Sequence, residues 1–327
     1  MMKNIAIIAT GGTIAGSGEM GKATGYVAGT YSVDAIIDSI PQIKSIANLV
    51  LYDLMSVDSN EMNEDNWITL LNKVNEVSQD KTIDGIVITH GTDTIEETAY
   101  FLNLTVNTMK PVILTGAMRP ATATSADGPY NLYQAVSLAC HEEAFGHGVM
   151  CLFSSTIYSG RDIQKVNNYK IDAFDQKAFA SLGYMKDDQV FFYSQPLKKH
   201  TMLSRFSDVV YLKLPKVGIA YFYAGGDASI LYHLSEDCRG IVIVGSGSGN
   251  YSKKWLEAIN DLAQQGIKFV RASRVINGIV FDDNVFDPEG HCIGANTLSP
   301  VKARVLLMLA LSQSDDYHEI EQMFLEY

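Results

Sequence analysis

Short apolar runs alternate with stretches of helical period along most of the chain. Residues 5–9, 86–89 and 112–115 are apolar almost throughout, the pattern of strands in a parallel sheet covered on both faces. Amphipathic segments lie between them. In "NEDNWITLLNKVNEVSQD" the residues Trp67, Leu70, Leu71, Val74 and Val77 recur at helical spacing, and Asn63 is a candidate N-cap ahead of acidic residues in the first turn. "TDTIEETAYFLNLTV" and "SADGPYNLYQAVSLACHEE" read the same way. This alternation predicts a doubly wound α/β domain built on a parallel sheet.

The pattern weakens over residues 198–216, "KKHTMLSRFSDVVYLKLPK", and then restarts. Strands are expected at 217–221, 241–244 and 267–270, with helices over "GDASILYHL", "YSKKWLEAINDLAQQ" and "SPVKARVLLMLALSQ". The last helix has Ser299 at its N-cap and Pro300 at its first position. The expected organisation is a larger N-terminal α/β domain over 1–197, a linker over 198–216 and a smaller C-terminal α/β domain over 217–327. A chain of 327 residues fits two cores better than one.

Composition narrows the function classes. Hydrophobic residues make up 47% and charged residues 19%, a globular balance. The net charge of -12 argues against a nucleic-acid partner, because no excess of Lys and Arg exists to release counterions. It leaves a small zwitterionic substrate open. Cys140, Cys151, Cys238 and Cys292 match no zinc or CxxC spacing and read as buried reduced thiols. The apolar run that opens the chain, about six residues, is shorter than a signal-peptide core. No run approaches the ~18 residues of a membrane helix. The expectation is a cytoplasmic protein with no membrane partner.

In open α/β sheets, ligands bind beyond the carboxyl ends of the strands. The segments that follow the predicted strands are Thr10-Gly11-Gly12-Thr13, His90-Gly91-Thr92-Asp93-Thr94, Gly116-Ala117-Met118-Arg119-Pro120 and "GSGSGN" at 245–250. Two chemistries compete for them. "GSGEMG" at 16–21 fits the spacing of a dinucleotide loop, but it begins after the strand has ended and no helix pattern follows. "GSGSGN" sits between strand and helix, yet Asn250 stands where the third glycine belongs. The alternative is a threonine hydroxyl presented for chemistry. Such a hydroxyl needs a neighbour to take its proton, and Tyr26 and Lys165 are candidates.

"ATGGTIAG" (9–16), "HGTDT" (90–94) and "GAMRP" with "SADG" (116–120, 125–128) resemble the bacterial L-asparaginase family, most closely its type II branch. The match continues through "GRDIQK" (160–165) to "TLSPVKARVLL" (297–307), nearly the whole chain. The resemblance implies hydrolysis of L-asparagine to L-aspartate and ammonia, with room for minor activity on L-glutamine and with neither metal nor cofactor. It also implies a homotetramer, a dimer of dimers, with sites between paired subunits.

The resemblance assigns roles by position. Thr13 is the nucleophile, on a lid spanning roughly residues 12–32, and Tyr26 is the lid tyrosine that hydrogen-bonds it. Thr92, Lys165 and Asp93 form a second triad, with Thr92 directing water at the acyl-enzyme and Lys165 as its proton partner. Asp93 receives the substrate's α-ammonium and Ser59 its α-carboxylate. The backbone of Gly12, Gly91 and Thr92 lines the site, the Ala117 carbonyl lies near the side-chain amide, and Asn250 comes from the neighbouring subunit. His90 is expected to be structural. Two positions depart from the family: Asn60, where Gln or Glu is usual, and Asn284, or Asp283 if the count slips by one, where an interface glutamate is usual. The alternatives are an amidotransferase subunit acting on misacylated tRNA, and an amino-acid-binding or nucleotide-binding α/β protein.

Overall fold

The computed structural model describes residues 2–22, 33–176, 179–282 and 285–327. It divides into two units, Met1–Val210 and Tyr211–Tyr327. The first is built on a sheet whose parallel strands are β1 (Lys3–Gly11), β2 (Ala47–Val57), β3 (Gly85–Thr89), β4 (Val112–Thr115) and β5 (Val149–Phe153). After β5 the sheet continues antiparallel. The strand β6 (Thr156–Ser159) is followed by β7 (Gln164–Lys165) and β8 (Phe174–Asp175), a separate small pair. Then β9 (Gly183–Lys186) and β10 (Gln189–Phe192) extend the main sheet, giving the order β10-β9-β6-β5-β4-β3-β1-β2. The parallel half is the doubly wound fold that the alternation predicts. The antiparallel extension is additional, and its short strands, of which β9 and β10 are half-exposed, carry no comparable apolar runs.

Four helices flank this sheet: α1 (Val33–Asp38), α2 (Glu64–Gln79), α3 (Ile95–Thr105) and α4 (Gly128–Cys140). One core joins Leu132, Ala135, Val136 and Ala139 of α4 to Ile5 and Ile7 of β1, Val87 of β3 and Ile113 of β4. The period of two along β1 and the helical period along α4 meet there. Helix α2 begins as its sequence indicates. The Asn63 side chain accepts from Asp65 N at 3.0 Å and Asn66 N at 3.1 Å. Asn66 Oδ1 returns the bond to Asn63 N at 3.2 Å, completing a capping box.

Sheet order places the crevice. Connections from β1 reach β2 on one side, and the chain then returns to β3 on the other, so the winding reverses between β1 and β3. Their register pairs Ala9 with Thr89, which brings the loops after both strands to one end of the sheet. That end is the expected ligand crevice of an open α/β sheet.

The second unit has a parallel sheet of β11 (Val217–Tyr221), β12 (Gly240–Gly245), β13 (Lys268–Ser273) and β14 (Cys292–Gly294), in that order. Its helices are α5 (Ser229–Ser235), α6 (Lys253–Gln264), α7 (Pro300–Leu311) and α8 (Tyr317–Glu326). Trp255, Ile259 and Leu262 of α6 pack on Ile241, Ile243 and Phe269. Ser299 occupies the N-cap position of α7 and Pro300 follows, but the Ser299 hydroxyl is buried and makes no cap bond. Among the described residues, no helix is long and apolar enough to cross a membrane.

The α2 cap gives a direct stability test. Replacing Asn63 by Ala should cost about 1 kcal/mol in chemical denaturation, the usual worth of an N-cap. A variant as stable as the parent would show that the box contributes nothing.

Candidate active site

The two glycine-bearing loops meet in backbone contact. Gly12 has φ +87°, and a Cβ there would lie 2.4 Å from Gly91 N, so only glycine fits. A Cβ on Gly91 would in turn lie 2.7 Å from Ser59 Oγ. The loops after β1 and β3 therefore meet backbone to backbone, and the Ser59 side chain from the loop after β2 packs on Gly91. Hydrogen bonds hold this end of the sheet together. Thr10 Oγ1 donates to Thr89 O at 2.8 Å, and His90 N to Thr115 O at 2.9 Å. Thr94, at the head of α3, does not cap its helix but donates its hydroxyl to Ser59 O at 2.7 Å.

Thr13 follows Gly12 and opens a single 3-10 turn, closed by Gly16 N donating to Thr13 O at 2.8 Å. Thr92 lies in the second loop, buried, beside the same glycine contact. Lys165 reaches it from β7, a strand outside the main sheet. Its Nζ donates to Thr92 Oγ1 at 2.8 Å and to Asp93 Oδ1 at 2.6 Å. The Lys165 side chain is 14% exposed and that of Asp93 is 54% exposed, so the ammonium is held inside and the carboxylate faces outward. The bond from Lys165 is the main reason the Asp93 carboxyl is held below its ordinary range. Burial opposes it, while the Lys165 charge and the Asn60 amide reinforce it.

Asn60 sits in the 3-10 turn Ser59–Glu61. Its Nδ2 lies 2.9 Å from Asp58 Oδ1 and a longer 3.4 Å from Asp93 Oδ2. Ser59 is buried. Ala117 is fully buried, with its loop clamped from the other side. The Asp127 carboxylate accepts from Met118 N and Arg119 N, both at 2.9 Å. Asn131 Nδ2 donates to Gly116 O at 3.0 Å. The N-terminal unit thus brings together Gly12, Ser59, Asn60, Gly91, Thr92, Asp93 and Lys165. Tyr26, the expected lid segment from 23 to 32, Asp283 and Asn284 lie outside the described residues. Asn250 belongs to the second unit. There it closes a tight turn with Ser246, and its Oδ1 is buried without a hydrogen-bond partner.

Several amides of the glycine loops are already engaged, which counts against a phosphate cradle. Gly21 N donates to Thr122 O at 2.9 Å and Gly18 N to Thr122 Oγ1 at 3.1 Å. In the "GSGSGN" loop, Gly249 N and Asn250 N both donate to Ser246 O, at 3.0 and 2.7 Å. An anion site needs such N–H groups unoccupied. Among the described residues, no group of three or more His, Cys, Asp or Glu is placed to hold a metal ion. A cavity of about 550 Å³ in the second unit, around Asp282, Asp287 and Glu321, is lined by none of the candidate site residues.

Sequence reasoning passed over two features. Asp127 clamps the loop after β4, and its place in "SADG" was the available signal. The other is a buried chain of hydrogen bonds ending on the loop itself. Trp67 Nε1 lies 2.9 Å from Thr98 Oγ1, which lies 3.0 Å from His90 Nε2, and His90 Nδ1 lies 2.7 Å from Gly91 O. Burial drives the imidazole down to about 4, against the Gly91 bond, so the ring is neutral at physiological pH.

The comparisons with known proteins cover the whole chain. The family description "Asparaginase, N-terminal" matches residues 4–198, and "Glutaminase/Asparaginase C-terminal domain" matches residues 216–324. "L-asparaginase 2" of Escherichia coli (strain K12) is 42% identical over 100% of this chain and 94% of its own length. "Glutaminase-asparaginase" of Pseudomonas fluorescens biotype A is 39% identical, over 100% and 91%. The solved structure of a "Probable Cytoplasmic L-asparaginase from Campylobacter jejuni" superposes with a TM-score of 0.96 at 42% identity, over 99% of this chain and 100% of that one.

The Lys165–Asp93 contact makes a titration measurable. Asp93 should stay ionised below the 3.8 of a free aspartate. Stability from this pair is therefore present above that value and lost as pH falls through the lowered one. Lys165→Met removes the largest lowering influence and leaves burial, so carboxyl-carbon NMR should find the Asp93 midpoint moved upward. An unmoved midpoint would show that the contact does not govern Asp93.

Proposed function

The chain belongs to the asparaginase family, and from that premise we propose that it hydrolyses L-asparagine to L-aspartate and ammonia through a threonine acyl-enzyme. The observation that carries this reading is Lys165 Nζ bridging Thr92 Oγ1 at 2.8 Å and Asp93 Oδ1 at 2.6 Å, beside the contact of Gly91 with Gly12, the residue before Thr13. A hydroxyl, an amine and a carboxylate in hydrogen-bond succession are the components of a proton-relay site.

The roles follow from chemistry and position. Thr13 Oγ attacks the side-chain amide carbon, and its proton passes by way of Tyr26 to the departing nitrogen. The C–N bond breaks and ammonia leaves. Thr92, with Lys165 as its proton partner, directs a water onto the acyl carbon. The bond to Thr13 Oγ then breaks, Thr13 recovers its proton and aspartate is released. Asp93 holds the substrate's α-ammonium, which suits an exposed carboxylate kept ionised by Lys165. Ser59, with the backbone of Gly12 and Gly91, receives the α-carboxylate, and the Ala117 carbonyl faces the leaving amide. We further propose a homotetramer, a dimer of dimers, in which Asn250 completes the site of a neighbouring subunit. The amidotransferase and nucleotide-binding readings draw no support from this arrangement.

Thr13→Ala tests the chemistry. Ammonia release from asparagine should fall to almost nothing while aspartate binding stays within about tenfold, because the nucleophile serves the chemical step. Wild-type turnover in that variant would overturn the nucleophile assignment.

Asn60 bears on substrate preference. It is shorter than the usual Gln or Glu and is turned mainly to Asp58, so Asp93 is left as the main anionic anchor for the ammonium. Glutamine is one methylene longer, and must shift its α-groups to bring its amide to Thr13. A methylene alone discriminates by only ~1–3 kcal/mol. Weak anchoring adds to this, because the poorly seated amide strays from attack geometry. We expect kcat/KM for asparagine to exceed that for glutamine clearly, and Asn60→Gln to narrow the gap. Comparable values for the two amides in the parent, or an unchanged ratio in the variant, would defeat the argument.

A further inference from the structure

The buried chain Trp67–Thr98–His90–Gly91 has only one consistent set of hydrogen positions. An indole nitrogen can only donate, so Thr98 Oγ1 accepts from Trp67 Nε1 at 2.9 Å. A carbonyl oxygen can only accept, so His90 Nδ1 carries a hydrogen toward Gly91 O at 2.7 Å. The buried ring is neutral and has a single hydrogen. Nε2 is therefore a bare lone pair, and Thr98 donates its hydroxyl hydrogen to it at 3.0 Å. Every donor faces an acceptor in one direction, from α2 through α3 to the loop after β3. Trp67, Thr98 and His90 are all buried, so water does not compete for these bonds.

The end point of this chain is a peptide group of the candidate site. The Gly91–Thr92 peptide is trans, since the described residues contain no cis bond. In a trans peptide the C=O and the following N–H point in opposite directions. Drawing Gly91 O toward the His90 ring therefore turns Thr92 N–H away from it. Among the described residues that N–H has no acceptor, whereas buried amides are nearly always paired. The Thr92 side chain is at the same time held by Lys165. An unpaired amide on a peptide fixed from behind is a preorganised donor for developing negative charge.

We propose that His90, oriented by Thr98 and Trp67, is a positioning residue that aims the Thr92 N–H at the oxyanion formed on the substrate amide. This rests on the amidohydrolase reading above. His90 touches neither substrate nor water. It acts through the Gly91 carbonyl and sets the direction of one N–H.

Two measurements test it. The first is independent of activity: NMR of isotope-labelled imidazole nitrogens at neutral pH should find His90 hydrogen-bearing at Nδ1 and bare at Nε2. The opposite tautomer would overturn the relay. The second is kinetic. His90→Leu keeps bulk without a donor and should lower kcat by about 10²–10³, the worth of one oxyanion donor. KM should stay within about twofold, because the interaction is made in the transition state. His90→Asn, whose amide nitrogen can take the place of Nδ1, should recover most of the loss. If His90→Leu does not fold, Thr98→Val carries the same test, with a fall in kcat at near-constant KM and recovery in Thr98→Ser. An unchanged kcat, or a loss carried by KM, would overturn the proposal. No ammonia release by the parent chain would overturn the functional reading and the oxyanion role together, while the tautomer result would still stand or fall by itself.

Discussion

A Cβ on Gly12 would lie 2.4 Å from Gly91 N, and a Cβ on Gly11, just before it, would lie 2.6 Å from Val57 N and O. With Gly91 resting on Ser59, the carboxyl ends of β2, β1 and β3 are pressed together at distances that only glycine allows. The rest of the candidate site depends on this constraint. Both Gly11 and Gly12 also have positive φ, +105° and +87°, where other residues are strained. The glycines after the first strand therefore serve close backbone approach rather than anion binding. Thr13 and Thr92 each follow one of the two glycines, Gly12 and Gly91, that meet in this contact.

Lys165 is the second fixed point, and it comes from elsewhere. Its strand β7 pairs only with β8, placing Lys165 opposite Phe174. That pair is tied to the main sheet, since the Tyr158 hydroxyl of β6 donates to Phe174 O at 3.0 Å and Phe153 of β5 stacks on Phe174. A long flexible side chain held at two acceptors loses considerable rotamer freedom. The cost is offset by a mostly buried amine that is never left without partners. Asp93, more exposed, supplies the charge that makes the buried position tolerable.

The parallel half of the fold was legible because its strands are apolar on both faces and its helices keep a clear period. The Asn63 cap was legible because capping depends on residues adjacent in sequence. Strands β6, β9 and β10 were not, since antiparallel strands of four residues leave only weak alternation. Ser299 shows the limit of local reasoning: the position was right, yet the buried hydroxyl makes no cap bond. At the site, residues inside glycine-flanked motifs stood out, whereas the partners of His90 did not. Trp67 and Thr98 are 31 residues apart and sit at helical positions that read as ordinary core. Their polar atoms matter only because two helices and a loop bring them into line, and no spacing rule encodes that.

The two threonines end up in different mechanical settings. Thr92 is fixed on several sides. Its hydroxyl accepts from Lys165, its preceding carbonyl is bound by His90, and Gly116 packs so close that a Cβ there would meet His90 O at 2.3 Å. Thr13 follows a glycine and is held in a one-turn 3-10 segment. In a two-step acyl transfer the nucleophile must accept a substrate, form a bond and later release it, while the groups that receive negative charge gain most from not moving at all. The loop after β3 has the rigidity that electrostatic preorganisation needs. The loop after β1, which carries the hydroxyl proposed to react, meets it at the Gly12–Gly91 contact and through the bond from Thr10 Oγ1 to Thr89 O.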